Sequence, residues 1–373
     1  MTQDYDALVI GAGIAGMSVA SALACAGQRV AVLEREPRPG RQATARAVSL
    51  LRPLHAEALL RDLTARSQPF FEADHAEIDA QPLTCPRGLL MLARLDQADH
   101  LRHLRGLAPS DAPLRCLDAD ELRSQVPVLR PGYAECGLFD PRVRDLDVPL
   151  LMELHRRRLA AAGGALLCAA PVTGLRRSGG LWRVDSGAGP FAAPVLVNAA
   201  GAWADKMARL AGIVPIGLRP WRRTVLQLQL AGGVTLADLP MVVDADLHFY
   251  LKPDQGRLLA SPADEILVPD CQAEPEDLDV ALCLDRIAAC FDIEVAQVTR
   301  VWAGLRCYVP DRLPVCGWAP DAPGFFWLAG QGATGIQTSP ALADLAVAQI
   351  LGRTEEAEAD LAAQLSPGRL GVT

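Results

Sequence analysis

Residues 5–34 read YDALVIGAGIAGMSVASALACAGQRVAVLE. Ala7–Ile10 is a short apolar run with the composition of a strand buried on both faces. Gly11, Gly13 and Gly16 follow as G-x-G-x-x-G, with Ile14 and Ala15 between the last two, and an Ala-rich helical stretch then runs to Ala26 and stops at Gly27. Arg29–Leu33 is a second short strand that leads into Glu34. In this register the segment predicts a βαβ unit that binds a dinucleotide. The first glycine permits the tight turn, the second lets a pyrophosphate approach the backbone, and the third lets helix and strand pack closely. The helix start offers free N–H groups to the phosphates, and Glu34 is spaced to accept the ribose hydroxyls. A glycine-rich turn in an ordinary βαβ unit would not require the acid.

The rest of the chain bounds the answer. Its 373 residues are 50% hydrophobic and 21% charged, with no low-complexity tract, as in a folded protein with room for two or three domain-sized units. A formal net charge of −8, without a dense basic stripe, argues against a nucleic-acid partner. The opening MTQDYD shows no basic, apolar or twin-Arg leader, and no run of about 18 apolar residues is present to span a membrane. The expected location is therefore the cytoplasm, with peripheral membrane association left open. Ten cysteines are scattered without C-x-x-C and read as buried thiols, with no disulfide and no metal site expected. His100 and His103 read as part of a solvated, arginine-rich helix face.

Further along, residues 54–72 read as a helix, Pro82–Leu92 as a strand, and the segment up to Gly106 as a helix. Asp118 to Glu121 has the form of a capping box that opens one helical turn, ended by Pro127. An amphipathic helix over 147–162 stops at Gly163-Gly164, and Ala165–Ala170 is a strand. Val172–Arg176 and Leu181–Asp185 form a hairpin arm, and Pro194–Asn198 is a strand that feeds a helix. Arg222–Leu230 alternates like a half-buried antiparallel strand, and two short strands, His248–Leu251 and Arg257–Ala260, flank the turn Pro253–Gly256. Residues 275–291 read as a helix, Val315–Gly317 and Phe326–Gly330 as strands, and Gly332–Ile350 as a last glycine-led helix before a loose tail beyond Ser366. The predicted fold is α/β. A Rossmann-like domain is assembled from discontinuous segments (1–80, 140–218 and 298–373), an antiparallel β-rich substrate domain (81–139 and 219–297) is inserted, and the site lies between them.

Four blocks taken in order resemble the FAD-dependent oxidoreductases of the D-amino-acid oxidase, sarcosine oxidase and glycine oxidase class. They are GAGIAG with Glu34, LVNAAGAWAD (196–205), WAGLRCYVPDRLPVCGW (302–318) and GFFWLAGQGATGIQTSPALADLA (324–346). Within that class the pattern is most similar to bacterial D-arginine dehydrogenase, at LEREPRPG (33–40), FYLKPD (249–254), WAGLR (302–306) and GIQTS (335–339). The resemblance implies noncovalent FAD and oxidation of a carbon bearing an amine beside a carboxylate. It implies cofactor contacts from Arg35, from the loop Thr44, Ala45, Arg46 and Ala47, and from Val172 at the adenine. Further contacts are implied from Ala200, Gly201 and Trp203, and from Gly332, Ala333, Thr334, Gly335 and Ile336. Physically, a helix start at Gly332–Gly335 would face the flavin pyrimidine, where negative charge develops on reduction. The alternative there is another tight strand-to-helix turn, and Arg46 taken alone reads equally as a surface charge.

Arg306 is the leading catalytic candidate. A planar guanidinium can fix a substrate carboxylate by two parallel hydrogen bonds, and the apolar WAGLR setting makes an unpaired arginine costly. An internal ion pair is the competing explanation. Tyr250 matches the tyrosine that helps hold the carboxylate, with core packing as its alternative, and strand alternation puts His248 on the same face. Arg223 and Gln337 match substrate-side positions, while Arg222 falls on the opposite strand face and is expected outside. Where the relative has a glutamate for a cationic side chain this chain has Leu89, and Leu50, Arg52 and His55 replace a histidine, a threonine and a lid tyrosine. A guanidinium substrate would lack a partner, so an apolar or acidic D-amino acid is expected. Hydride would pass from Cα to flavin N5, and the imino acid would hydrolyse to an oxo acid and ammonia. His55 and His248 are both open as aids to deprotonation, and the electron acceptor is open among a quinone, another carrier and oxygen. Cys307 is offset from the cysteine that links flavin in sarcosine oxidases. The rival readings are oxidation of a secondary amine or a 2-hydroxy acid, and a flavoprotein subunit of a multicomponent dehydrogenase.

Overall fold

A computed structural model of the chain describes residues 3–233 and 236–371. The first two residues of the acidic opening and the last two of the tail lie outside the described residues. A six-stranded sheet runs in the order Ala165–Leu167, Val30–Leu33, Ala7–Ile10, Val195–Asn198, Phe325–Ala329, Val315–Trp318. Every neighbouring pair is parallel except the last. Helices cover these strands, so they can be unbroken apolar runs, and every residue of Ala7–Ile10 and Val30–Leu33 is buried. The helix Ile14–Cys25 lies against the sheet and is packed in turn by Val148–Ala161 and Ser339–Ile350. It is sandwiched, which is why its apolar residues go round it and do not form a stripe. The hairpin Val172–Ser178 and Leu181–Ser186 joins Gly189–Ala193 and Gln3–Asp4 in a separate four-stranded sheet.

The second large body is a nine-stranded sheet. Its pairs are antiparallel except Met241–Asp244 against Leu89–Ala93, which run parallel. The helix Asp277–Cys290 packs on one face through Cys283, Ile287 and Cys290. The strand Arg219–Leu230 was legible in its alternation, but its long partner Val295–Tyr308 was not predicted. The expected domain boundary at 298 falls inside that partner, which stays hydrogen-bonded to Arg219–Leu230 as far as Tyr308.

Other expectations are corrected. The strand expected over Pro82–Leu92 is broken into Thr84–Pro86 and Leu89–Ala93. Gly88 sits between them at φ +70, where a Cβ would meet the Phe139 ring at 2.7 Å. The last glycine-led helix begins only at Ser339, and residues 332–338 form successive turns. The tail is not loose over its described part. Glu356–Leu365 is a helix that buries Leu361 and Leu365, and Arg369 binds Asp311 at 2.8 Å. The cysteines are all free thiols, but Cys25, Cys85 and Cys116 are exposed and not buried as expected. No helix among the described residues is long and apolar enough to cross a membrane.

Candidate active site

One cavity runs from the first glycine turn to the wall of the nine-stranded sheet. At its nucleotide end Gly11 has φ +98, and a Cβ there would lie 2.6 Å from the Ala199 carbonyl oxygen. A Cβ on Gly16 would lie 1.8 Å from the Gly11 oxygen. The third glycine thus serves helix–strand packing and does not line the cavity, whereas Gly13, Ile14 and Ala15 do. Glu34 is buried at the strand end and lines the cavity. Its Oε2 accepts the Ala12 N–H at 2.6 Å and its Oε1 accepts the Glu36 N–H at 2.8 Å, which fixes the carboxylate. Arg35 stacks 3.5 Å over the Trp203 ring, and both line this end with Val172, Ala200 and Gly201.

The loop after the second strand is locked from both sides. Thr44 Oγ1 accepts the Ile14 N–H at 3.0 Å, at the start of the first helix. Arg46 Nη1 donates to the carbonyls of Ala273 and Ala303, each at 2.7 Å, and the Trp302 indole donates to the Arg46 carbonyl at 3.0 Å. Arg46 is therefore a clasp between loop and sheet, and not a free surface charge. Thr44, Arg46 and Ala47 line the cavity. Ala45 does not, because its N–H turns back to Gly40.

Opposite this loop, Gly332, Ala333, Gly335 and Ile336 line the cavity and Thr334 does not. Gly332 has φ +56, and a Cβ there would sit 1.9 Å from the Tyr308 ring. The N–H groups of Ala333, Gly335 and Ile336 have no acceptor among the described residues. The expected helix terminus is thus replaced by a turn whose unpartnered N–H groups offer the same positive field. Gln331 Nε2 is buried beside them without a partner.

At the far end, Arg223 lies opposite Gly304 and Arg306 lies opposite Trp221. That register brings both guanidinium-bearing residues to one face of the sheet, where Gly304 lets Arg46 approach: a Cβ there would lie 3.2 Å from the Arg46 Cβ. Arg306, Arg223 and Tyr250 all line the cavity. Arg306 has no carboxylate within 4 Å among the described residues. Burial and the neighbouring Arg306 charge hold the Arg223 pKa below the usual arginine value. Gln337 reaches the cavity, but its amide is turned to the 50–55 segment. Oε1 accepts the Arg52 N–H at 3.0 Å, and Nε2 lies 2.7 Å from His55 Nε2 and 2.8 Å from Thr64 Oγ1. His55, expected in the site, sits behind Gln337 and does not line the cavity. Burial, aided by the Arg52 charge, depresses its pKa to about 3, so it is neutral. Leu50 lines the wall. Leu89 and Arg52 do not, and Leu89 packs with Leu50 behind Tyr250 in one apolar cluster.

Two strand readings are corrected. Arg222 does face away from Arg223, but it is buried and not external, bound to Glu276 and to Asp279 at 2.8 Å. His248 does not share the face of Tyr250. It precedes the strand, is half exposed, and lies 3.3 Å from Asp244. Sequence reasoning missed Gly304, the Arg46 clasp, and Glu265, which pairs with Arg223 at 3.2 Å.

A glycine-cradled cavity that continues into a guanidinium-lined chamber defines a dinucleotide-dependent oxidoreductase. Residues 6–349 match the family described as FAD dependent oxidoreductase (DAO), and the chain belongs to that family. It is 28% identical over 368 residues to glycine oxidase of Geobacillus kaustophilus, covering 96% of this chain and 95% of that one. It is 26% identical over 373 residues to glycine oxidase of Pseudomonas putida, covering 98% and 99%. The fold matches the crystal structure of glycine oxidase from Geobacillus kaustophilus with TM-score 0.82 at 24% identity, covering 95% and 96% of the two chains. It matches L-proline dehydrogenase from P. horikoshii with TM-score 0.83 at 20% identity, covering 100% and 99%. None of these relatives is a D-arginine dehydrogenase, so they carry the likeness at the level of the family alone. The chain is an FAD-dependent oxidoreductase of amino-acid or amine substrates. The residues fit FAD: the glycine cradle and Glu34 at one end, the orphaned N–H groups and Gln331 amide at the other. Burial pushes the Cys307 thiol up to about 12, which keeps it protonated and unsuited to a covalent flavin link.

Proposed function

We propose that this enzyme oxidises the Cα–N bond of a free α-amino acid, with preference for the D-enantiomer, giving an imino acid that hydrolyses to an oxo acid and ammonia. The observation that carries the reading is Arg306, a cavity-wall guanidinium with no carboxylate within 4 Å among the described residues, on one sheet face with Arg223 in a cavity that Tyr250 also lines. Arg306 holds the substrate carboxylate in its fork, and the Tyr250 hydroxyl donates to it. Bound in the cavity, FAD supplies the hydride acceptor at N5. The sheet wall and the 44–50 loop exclude water and fix the Cα–H direction. The amine enters neutral. His55 is locked behind Gln337 and His248 is at the surface, so neither serves as base. The D preference rests on the likeness of Arg306, Tyr250 and Arg223 to a D-specific pattern. The same reading assigns 1–80, 140–218 and the chain beyond Tyr308 to the FAD-binding part, and the nine-stranded sheet to the substrate part.

A second reading is oxidation of a secondary amino acid, suggested by the likeness to L-proline dehydrogenase. Arg306 would hold the carboxylate of either class. Anaerobic mixing with D- and L-alanine, sarcosine and D- and L-proline separates them. Faster flavin bleaching by the D-primary amino acid supports the proposal, and faster bleaching by sarcosine or proline replaces it with the second reading.

A further inference from the structure

We propose that the substrate carries a second carboxylate, received by Arg223 while Arg306 holds the first; this rests on the amino-acid reading above. The substrate class is an α-amino acid with an acidic side chain.

The ground is the charge balance of the chamber. Arg223 is only 6% exposed, and its Nε, like that of Arg222, has no hydrogen-bond partner among the described residues. Its one carboxylate within 4 Å among the described residues, Glu265 at 3.2 Å, is shared with Arg312, also at 3.2 Å, and Asp264, which lies farther off, is bound to the Thr224 N–H and faces Arg222. Arg306 lines the same wall without an ion pair among the described residues. The acidic side chains that line the cavity, Glu34 and Glu36, are at the nucleotide end.

The adjacent residue shows what this protein does with a buried arginine that serves no ligand. Arg222, on the other face of the same strand, is surrounded by Asp264, Glu276 and Asp279. Two undercompensated guanidiniums in one chamber stand in contrast to that cage, and a buried charge is costly unless paired. One carboxylate fills one fork, and a second completes the neutralisation. A cationic side chain would add to the excess.

The test uses the FAD-loaded enzyme under anaerobic conditions with matched pairs, D-Glu against D-Gln and D-Asp against D-Asn. Melting shifts with succinate against butyrate give a readout without turnover. The acid should reduce the flavin about tenfold or more faster than its amide at equal subsaturating concentration, since the amide keeps the shape and loses the charge. Succinate should raise the melting temperature more than butyrate. Arg223→Gln should abolish both preferences, while Arg306→Gln slows acid and amide alike. Equal rates for acid and amide overturn the proposal. So does an Arg223→Gln variant that slows both equally, which would place both arginines on one carboxylate. If neutral amino acids reduce the flavin and acidic ones do not, the amino-acid reading stands and the dicarboxylate proposal falls. If no amino acid reduces it, the functional reading falls, and equal shifts with succinate and butyrate then remove the second-carboxylate site as well.

Discussion

Replacing Arg306 by methionine separates binding from folding in this enzyme. Arg306 has no carboxylate within 4 Å among the described residues, so the substitution orphans no anion there. It also removes the like charge that burdens Arg223. The melting temperature should therefore hold or rise. Catalysis should behave oppositely. Truncating one partner of a buried charge pair costs about 2–5 kcal/mol. Tyr250 remains on the same wall to hold part of the carboxylate, so the lower half of that range applies. A loss of about 2–3 kcal/mol is roughly a 30- to 150-fold fall in kcat/KM. Stopped-flow flavin reduction across substrate concentration, beside a thermal melt of the same FAD-loaded sample, reads both. A variant that melts several degrees lower and reduces flavin at the normal rate would refute the reasoning, because Arg306 would then be a structural cation.

Glu34→Ala should weaken FAD retention and also loosen the turn, since both carboxylate oxygens hold backbone N–H groups; fluorescence titration of apoprotein with FAD measures it. Gly16→Ala forces a methyl carbon to within 1.8 Å of the Gly11 oxygen. The expected result is protein that folds poorly or melts far lower, checked by circular dichroism, and normal melting would show that helix and strand can part. His155 is buried and His55 partly buried, and both have pKa values depressed to about 3 by desolvation, against about 6.5 unfolded. The unfolded chain binds their protons first, so stability is full above pH ~6.5 and falls by about 1.4 kcal/mol per pH unit per histidine down to about pH 3. In His155→Phe, whose ring keeps the stack on Phe70, the acid-side slope of melting temperature should be shallower; an unchanged slope would show His155 titrating normally.

The local patterns were legible in the sequence because their physics is local. Strand, glycine turn, helix and acid over residues 5–34 need no distant partner to be recognised, and the capping box at Asp118 formed as its spacing requires. What was not legible depends on residues far apart. The strand Val295–Tyr308 mixes polar and apolar positions and is extended because Arg219–Leu230 pairs along it. Arg222 has an external phase on its strand, but its carboxylates arrive from residues 264, 276 and 279. His55 looked like a site residue until Gln337, 282 positions away, was found to lie between it and the cavity. The 332–338 turn kept the expected ligand-facing role although the helix begins later, since free N–H groups need only an open turn.

The central claim is that the chamber oxidises a carbon bearing both an amine and a carboxylate. Anaerobic flavin titration with a D-amino acid, its L-enantiomer and the decarboxylated amine tests it most directly. The D-amino acid should bleach the flavin fully, the L-form more slowly and the amine not at all, because the amine gives Arg306 nothing to hold. Bleaching by the amine as fast as by the amino acid would contradict it.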